Sequence, residues 1–220
     1  MERIKSLLGF NNQHEENREP IDESVIISSD TLRENRIPPG QVKTVKWPVL
    51  HVGNVPKFDR EKWSFCLHGM VEKEWCCNYD QFLELPKVRV LSDFHCVTTW
   101  SKLDNLWEGV STQTLFEKVN VNPKVKYVLV YAEHGWTTNM PLEDFLQKDS
   151  IFAYNHNGKP LSPDHGYPLR LVIPKLYAWK SAKWVRSVEF LETDRAGFWE
   201  EGGYHMVGDP WKEQRFRWNG

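Results

Sequence analysis

The sequence predicts a mixed α+β fold, and three observations carry that expectation. Strand-like runs outnumber helical ones. Both kinds are short, so nothing alternates strand with long helix as a doubly wound sheet would. The 220 residues, 40% hydrophobic and 26% charged, suit an ordinary globular chain of one large domain or two small ones.

The elements follow in order. Residues 1–40 are polar, rich in Asn, Glu and Arg, and end in Ile37-Pro38-Pro39-Gly40. They predict an N-terminal polar arm, with the folded domain over 41–220. Trp63 to Leu67 alternates as a half-buried strand and stops at His68-Gly69. Asn78-Tyr79-Asp80-Gln81 reads as a capping box opening a helix through Leu85, which Pro86 ends. Lys87 to Leu91 is a strand that delivers the chain to Cys96. Trp107-Glu108-Gly109-Val110 reads as a turn, and Ser111 to Val119 as a helix with Leu115, Phe116 and Val119 on one face. Lys126 to Tyr131 is a strand ended by His134-Gly135-Trp136, and a helix follows over Pro141 to Leu146. Ile151 to Tyr154 is a strand closed by Asn155-His156-Asn157-Gly158, a turn that Asn-Gly favours. Leu169 to Ile173 and Ser187 to Leu191 complete the strands, and the tail after Asp194 is aromatic and Gly-rich.

Composition excludes several classes. A net charge of −2 gives no broad basic field for nucleic acid or an anionic membrane. No run of about 18 apolar residues predicts a membrane span. The start, Met1 to Phe10, lacks the pattern of a signal peptide. The four cysteines, Cys66, Cys76, Cys77 and Cys96, form no C-x2-C pair and no spaced disulfide framework. The expectation is a cytoplasmic chain with reduced thiols. H-E-x-x-H, G-x-S-x-G and G-x-G-x-x-G are all missing from the sequence.

Three segments could carry chemistry. Cys96, just past a strand end, can project into a pocket as a thiolate for a soft metal. It can equally be an inert buried thiol, or a nucleophile with a histidine base. Adjacent His95 and Asp93 could tune it or cap the strand, although neighbours on a strand point to opposite faces. His165-Gly166-Tyr167-Pro168-Leu169-Arg170 offers a close backbone approach at Gly166 and an arginine fork for a phosphate or planar heterocycle. Lys180-Ser181-Ala182-Lys183 could form an anion nest, or a solvated basic turn. Among the 11 tryptophans, Trp100, Trp107 and Trp136 are candidates for a pocket wall.

In order, Cys96-x3-Trp100-Ser101, Trp107-x-Gly109-Val110, Asn157-Gly158-Lys159-Pro160-Leu161, His165 to Arg170 and Pro174-x5-Lys180-x2-Lys183 resemble the molybdopterin domain of the sulfite oxidase family. The likeness is greatest to short bacterial members, including the catalytic subunit of methionine-sulfoxide reductases, and runs from about His51 to Leu191. It implies a mixed-sheet sulfite-oxidase-type fold and an oxidoreductase that holds molybdenum and molybdopterin. Cys96 would be the metal's thiolate ligand. His51, Gly53 and Asn54 would lie over the pterin. His165 and Arg170 would contact the pterin and its phosphate, and Ser181, Ala182 and Lys183 would hold the phosphate end, with Lys180 nearby in the cofactor-binding set. Tyr154 would stand beside the metal as a phenol donor.

Two departures bear on substrate. Sulfite oxidases carry arginines where this chain has Gly53 and Thr99-Trp100-Ser101. The resemblance therefore implies two-electron or oxygen-atom transfer on a small substrate other than sulfite, with a separate electron donor or acceptor and no nucleic acid. A non-catalytic cofactor-binding module and a metal-free cysteine-dependent enzyme remain the alternatives.

Overall fold

The computed structural model describes residues 24–218. Its elements are β1 (Val25–Ile27), β2 (Val42–Thr44), β3 (Ser64–Gly69), β4 (Trp75–Asn78), α1 (Tyr79–Leu83), β5 (Lys87–His95) and β6 (Trp100–Ser111). Then follow α2 (Thr112–Phe116), β7 (Tyr127–Ala132), β8 (Thr137–Pro141), α3 (Leu142–Phe145), β9 (Ile151–His156), β10 (Lys159–Pro160), β11 (Arg170–Val172), β12 (Val185–Leu191) and α4 (Phe198–Glu201). Short helices beside many strands make the α+β class plain.

The strands form two sheets. The first runs β1-β5-β6-β9-β10, with β11 added to β9 and β2 added to β6. The second runs β4-β3-β12-β7-β8. The main core lies between them: Phe65, Leu67, Val128, Val130, Val188 and Phe190 of the second sheet meet Val110, Phe152 and Leu171 of the first, with Phe82, Leu115 and Phe145 of the helices. Each such buried side chain contributes roughly 1.5–3 kcal/mol. A second cluster covers the other face of the first sheet and includes Val90, Phe94, Trp107, Ile151, Ala153 and Val172. The period of two along β9 explains the division: Ile151 and Ala153 face one side, Phe152 and Tyr154 the other.

Local chemistry sets the ends of several elements. Asn78 Oδ1 accepts from Gln81 N–H and Gln81 Oε1 accepts from Asn78 N–H, the reciprocal box that starts α1. Ser111 caps α2 by accepting from Thr114 N–H. Asn157 and Gly158, at φ 49° and 72°, make the left-handed turn between β9 and β10.

Three expectations are corrected. Trp107 to Val110 is not a turn but the middle of β6. Gly109 is needed for a different reason: a Cβ there would lie 2.0 Å from Phe152 O, so glycine lets β9 approach beside a bulge. The polar arm is built into the sheet over residues 24–40, where β1 pairs in parallel with β5 and Arg36 forks onto buried Asp93 at 2.6 and 2.9 Å while also meeting Asp104 at 2.6 Å. Residues 1–23 lie outside those described. Finally, Cys66 and Cys76 are disulfide-bonded, leaving Cys77 and Cys96 free. Antiparallel pairing of β3 with β4 sets the two directly opposite each other, which their spacing along the chain does not reveal. The reduced-thiol argument for a cytoplasmic chain does not survive that bond. Among the described residues no helix is long and apolar enough to cross a membrane.

Gly109→Ala is expected to destabilise the protein by about 1–3 kcal/mol through overpacking against β9. Thermal unfolding checks this; an unchanged midpoint would show that β9 can retreat.

Candidate active site

On the face of the first sheet away from the main core lies a cavity of about 280 Å³. β5 leads directly into its floor. Cys96 follows the strand, its N–H donates to Trp100 O at 2.9 Å, and Thr99 turns the chain at φ 72° to start β6. The thiol is buried, lines the cavity and lies 3.1 Å from Thr98 Oγ1. Burial pushes its pKa up, against the opposing pull of Thr98 and the charges of Arg170 and Arg215.

The loop is gripped from both sides. Gln41 Nε2 donates to Cys96 O at 3.0 Å and Arg215 Nη1 to Val97 O at 2.7 Å. His95 points elsewhere, bonding Ser101 Oγ at 2.8 Å and meeting Trp211 edge-on. Asp93 is taken by Arg36. Neither serves the thiol as a base.

β11 and the segment after it present cations to the same cavity. Leu171 N–H donates to Ala182 O and Val185 N–H to Leu169 O, which holds Arg170 level with Lys183. Arg170 is 6% exposed. It donates to His165 O at 3.0 Å and lies over the rings of Phe94 and Trp47, yet its Nε has no partner. Burial pushes its guanidinium down to about 9. Lys183 Nζ donates to Leu50 O and Asp164 O, and burial with the charge of Arg170 pushes its ammonium down to about 7. A Cβ on Gly166, at φ 116°, would crowd both Arg170 and Lys183, so this turn needs glycine.

His165 packs against Trp47 with ring centroids 3.8 Å apart. Burial and Arg170 push its pKa down to about 4, so the ring is neutral near neutral pH. Its Nε2 donates to Trp47 O and its Nδ1 accepts from Ser162. Ser181, Ala182 and His51 also line the cavity. Ser181 Oγ accepts from Ile173 N–H, which fixes the start of the basic loop.

Other expected residues lie elsewhere. Gly53 and Asn54 are exposed and do not line the cavity. Tyr154 packs on the main core, across the sheet from Cys96. Lys180 is fully buried and faces away: it pairs with Glu200 at 2.6 Å and donates to Asn139 O and Met206 O. It therefore anchors the C-terminal segment and leaves no donor for a phosphate.

Six of the 11 tryptophans line the cavity: Trp47, Trp100, Trp136, Trp179, Trp184 and Trp199. Trp107 lies beneath it, fully buried, donating to Ser92 Oγ. Trp47, Trp179, Trp184, Trp199 and Tyr204 were not singled out from sequence. Their one common signal was a neighbouring Gly, Pro or charged residue in place of an apolar run.

Residues 52–199 match the family described as oxidoreductase molybdopterin binding domain. The chain belongs to that family. It is 49% identical over 185 residues to the uncharacterized oxidoreductase YuiH of Bacillus subtilis, covering 84% of this chain and 93% of the relative. It is 23% identical over 175 residues to the protein-methionine-sulfoxide reductase catalytic subunit MsrP of Campylobacter jejuni, covering 70% of this chain and 59% of that one. Among solved structures, the sulfane dehydrogenase SoxCD of Paracoccus pantotrophus shares the fold, with a TM-score of 0.58 at 20% identity over 63% of this chain and 40% of that chain. The protein is thus a molybdopterin oxidoreductase of the sulfite oxidase type.

The oxidoreductase's cavity fits such a cofactor. The unpartnered Nε of buried Arg170 requires an acceptor, and among the described residues no carboxylate pairs with it. Lys183 adds a second cation, and the soft thiol of Cys96 lines the same cavity.

Two outcomes follow from this geometry. Lys183 carries its charge below its pKa of about 7 and loses it above. Sulfate affinity of the cofactor-free protein should therefore fall between about pH 6 and pH 8, and Lys183→Gln should weaken it about tenfold at the acid end and flatten the profile. Isothermal titration checks this; a flat wild-type profile would mean that Lys183 does not serve the anion. Lys180→Met should cost about 3–5 kcal/mol because it strands the buried Glu200 carboxylate, with less lost when Glu200→Gln is added. Denaturant unfolding checks the pair.

Proposed function

We propose that Cys96 ligates molybdenum through its thiolate, and that the enzyme carries out two-electron or oxygen-atom transfer on a small substrate. One observation carries this reading: a single cavity is lined by both the free Cys96 thiol and the buried Arg170, whose Nε is unpaired. A head that prefers soft sulfur and a tail that carries phosphate are both served.

The bound cofactor supplies two-electron redox chemistry and oxygen exchange that no side chain offers. The chain's own residues bind, orient and exclude water. Arg170 and Lys183 hold the anionic tail, with Ser181 and Ala182 shaping its seat. Neutral His165, braced by Ser162 and Trp47, presents a fixed ring edge rather than a charge. His51, whose Nδ1 donates to Gly53 O, closes the cavity from the N-terminal side. The aliphatic and indole lining keeps water from the metal end and strengthens each charge inside. Gln41 and Arg215 hold the Cys96 loop so that the thiolate is presented at one position.

Electrons must come from or go to a separate partner. The reductase names carried by two relatives, a subunit of Azospira oryzae and the catalytic subunit of Campylobacter jejuni, support a partner outside this domain. In this reading the cofactor-binding residues lie within 41–220, and residues 24–40 complete the same sheet through β1.

Cys96→Ser, made in a host that produces the cofactor, should abolish turnover with artificial electron carriers while pterin fluorescence of the denatured protein stays near wild type. The phosphate end is built from other residues, which is why the pterin should remain. Turnover equal to wild type would remove Cys96 from the metal.

A further inference from the structure

The metal end of the cavity is walled by a continuous set of aromatic rings. Trp136, which follows β7, lies 5.8 Å from Trp199. Trp199 stacks on Tyr204 at 5.1 Å and 18°, and Tyr204 meets Trp179 edge-on at 5.1 Å. All four line the cavity together with Cys96. Their positions are fixed. Tyr204 N–H donates to Trp199 O, and Trp179 Nε1 donates to Glu200, itself locked to Lys180. A Cβ on Gly208 would strike the Trp179 ring at 2.6 Å, so the backbone packs directly behind it.

The wall adds no charge to the cavity. Of the lining residues only Arg170 and Lys183 are Arg or Lys, and the proposed function assigns both to the cofactor's anionic tail. The Tyr204 hydroxyl has no hydrogen-bond partner among the described residues, whereas Tyr154 lies across the sheet. Tyr204 also falls outside the 52–199 span shared with the family.

We propose that Trp136, Trp179, Trp199 and Tyr204 form the substrate subsite of this oxidoreductase. It takes a neutral molecule with a flat apolar body and one polarised oxygen, and the Tyr204 hydroxyl donates a hydrogen bond to that oxygen. Indole and phenol faces stack on a π system and gain little from a small dianion. The unpartnered, partly buried hydroxyl fixes which end of the substrate meets the metal. The inference rests on the reading of the Cys96 cavity as the redox centre.

Quenching of tryptophan fluorescence gives dissociation constants for methyl phenyl sulfoxide, dimethyl sulfoxide and sulfite with the purified protein. Wild type should bind the phenyl compound about tenfold more tightly than the dimethyl one, with sulfite weakest. Trp199→Leu should collapse that ratio. Tyr204→Phe keeps the ring, so it should weaken both sulfoxides alike, by about two- to tenfold, and leave their ratio intact. Tyr154→Phe should change neither.

A wild-type ratio near one would overturn the proposal. So would an effect of Tyr154→Phe with none of Tyr204→Phe. Molybdenum analysis of the same preparation separates the two levels of failure. Metal present with no ratio sinks the subsite alone; metal missing from a host that loads its other molybdenum enzymes sinks the redox reading, while the titration still decides the subsite.

Discussion

A guanidinium buried on an apolar sheet face, with one N–H unpaired, is unfavourable until an anion meets it. Arg170 is in that position, and much of the surrounding structure exists to keep it there. Phe94 and Trp47 offer ring faces to its charge, His165 gives up a carbonyl, and Gly166 leaves the room that both it and Lys183 need. Water could solvate the group if the walls were polar, but indoles and aliphatics surround it. The fold therefore leaves a buried cation in need of an acceptor, and the thiol of Cys96 lines the same space.

The opposite side of the cavity depends on contacts distant in sequence. Gln41 and Arg215 take two successive carbonyls of the Cys96 loop, Arg36 closes on Asp93 and Asp104 beneath it, and the Lys180–Glu200 pair ties the C-terminal segment to β8 through Asn139. Loops seldom hold a side chain steady unaided; here the bracing of the Cys96 loop comes from segments distant in sequence. A buried ion pair such as Lys180–Glu200 adds little net stability, and its use lies in fixing one arrangement of the wall.

Local chemistry was legible in the sequence. The capping box at Asn78, the Asn157-Gly158 turn and the strand through Lys126 to Tyr131 depend on neighbours a few residues away, and they appear as expected. That Cys96, just past a strand end, shares a cavity with Arg170 and Lys183 far downstream is the grouping their order along the chain suggests. What failed depends on which face a side chain takes or what lies across a sheet. Gly109 reads as a turn residue, yet it answers to Phe152 O on another strand. Lys180 reads as a phosphate ligand, but a single 3-10 turn points it into the core. Tyr154 falls on the wrong face of β9 by the period of two. Cys66 meets Cys76 only because of register. The tryptophan lining is the extreme case, since six rings from five separate segments converge with no spacing rule to announce them.

The order of those segments has a consequence for how the site is made. The floor of the cavity, Cys96 through Lys183, precedes Trp199, Tyr204 and Arg215 in the chain. Ribosomes add about 5–20 residues each second, so a nascent chain has its floor for some time before its wall. During that interval the chain holds Cys96, Arg170 and Lys183 but lacks Trp199, Tyr204 and Arg215. The site is therefore completed only when the last part of the described chain brings Trp199 and Tyr204 to the cavity and Arg215 to Val97 O.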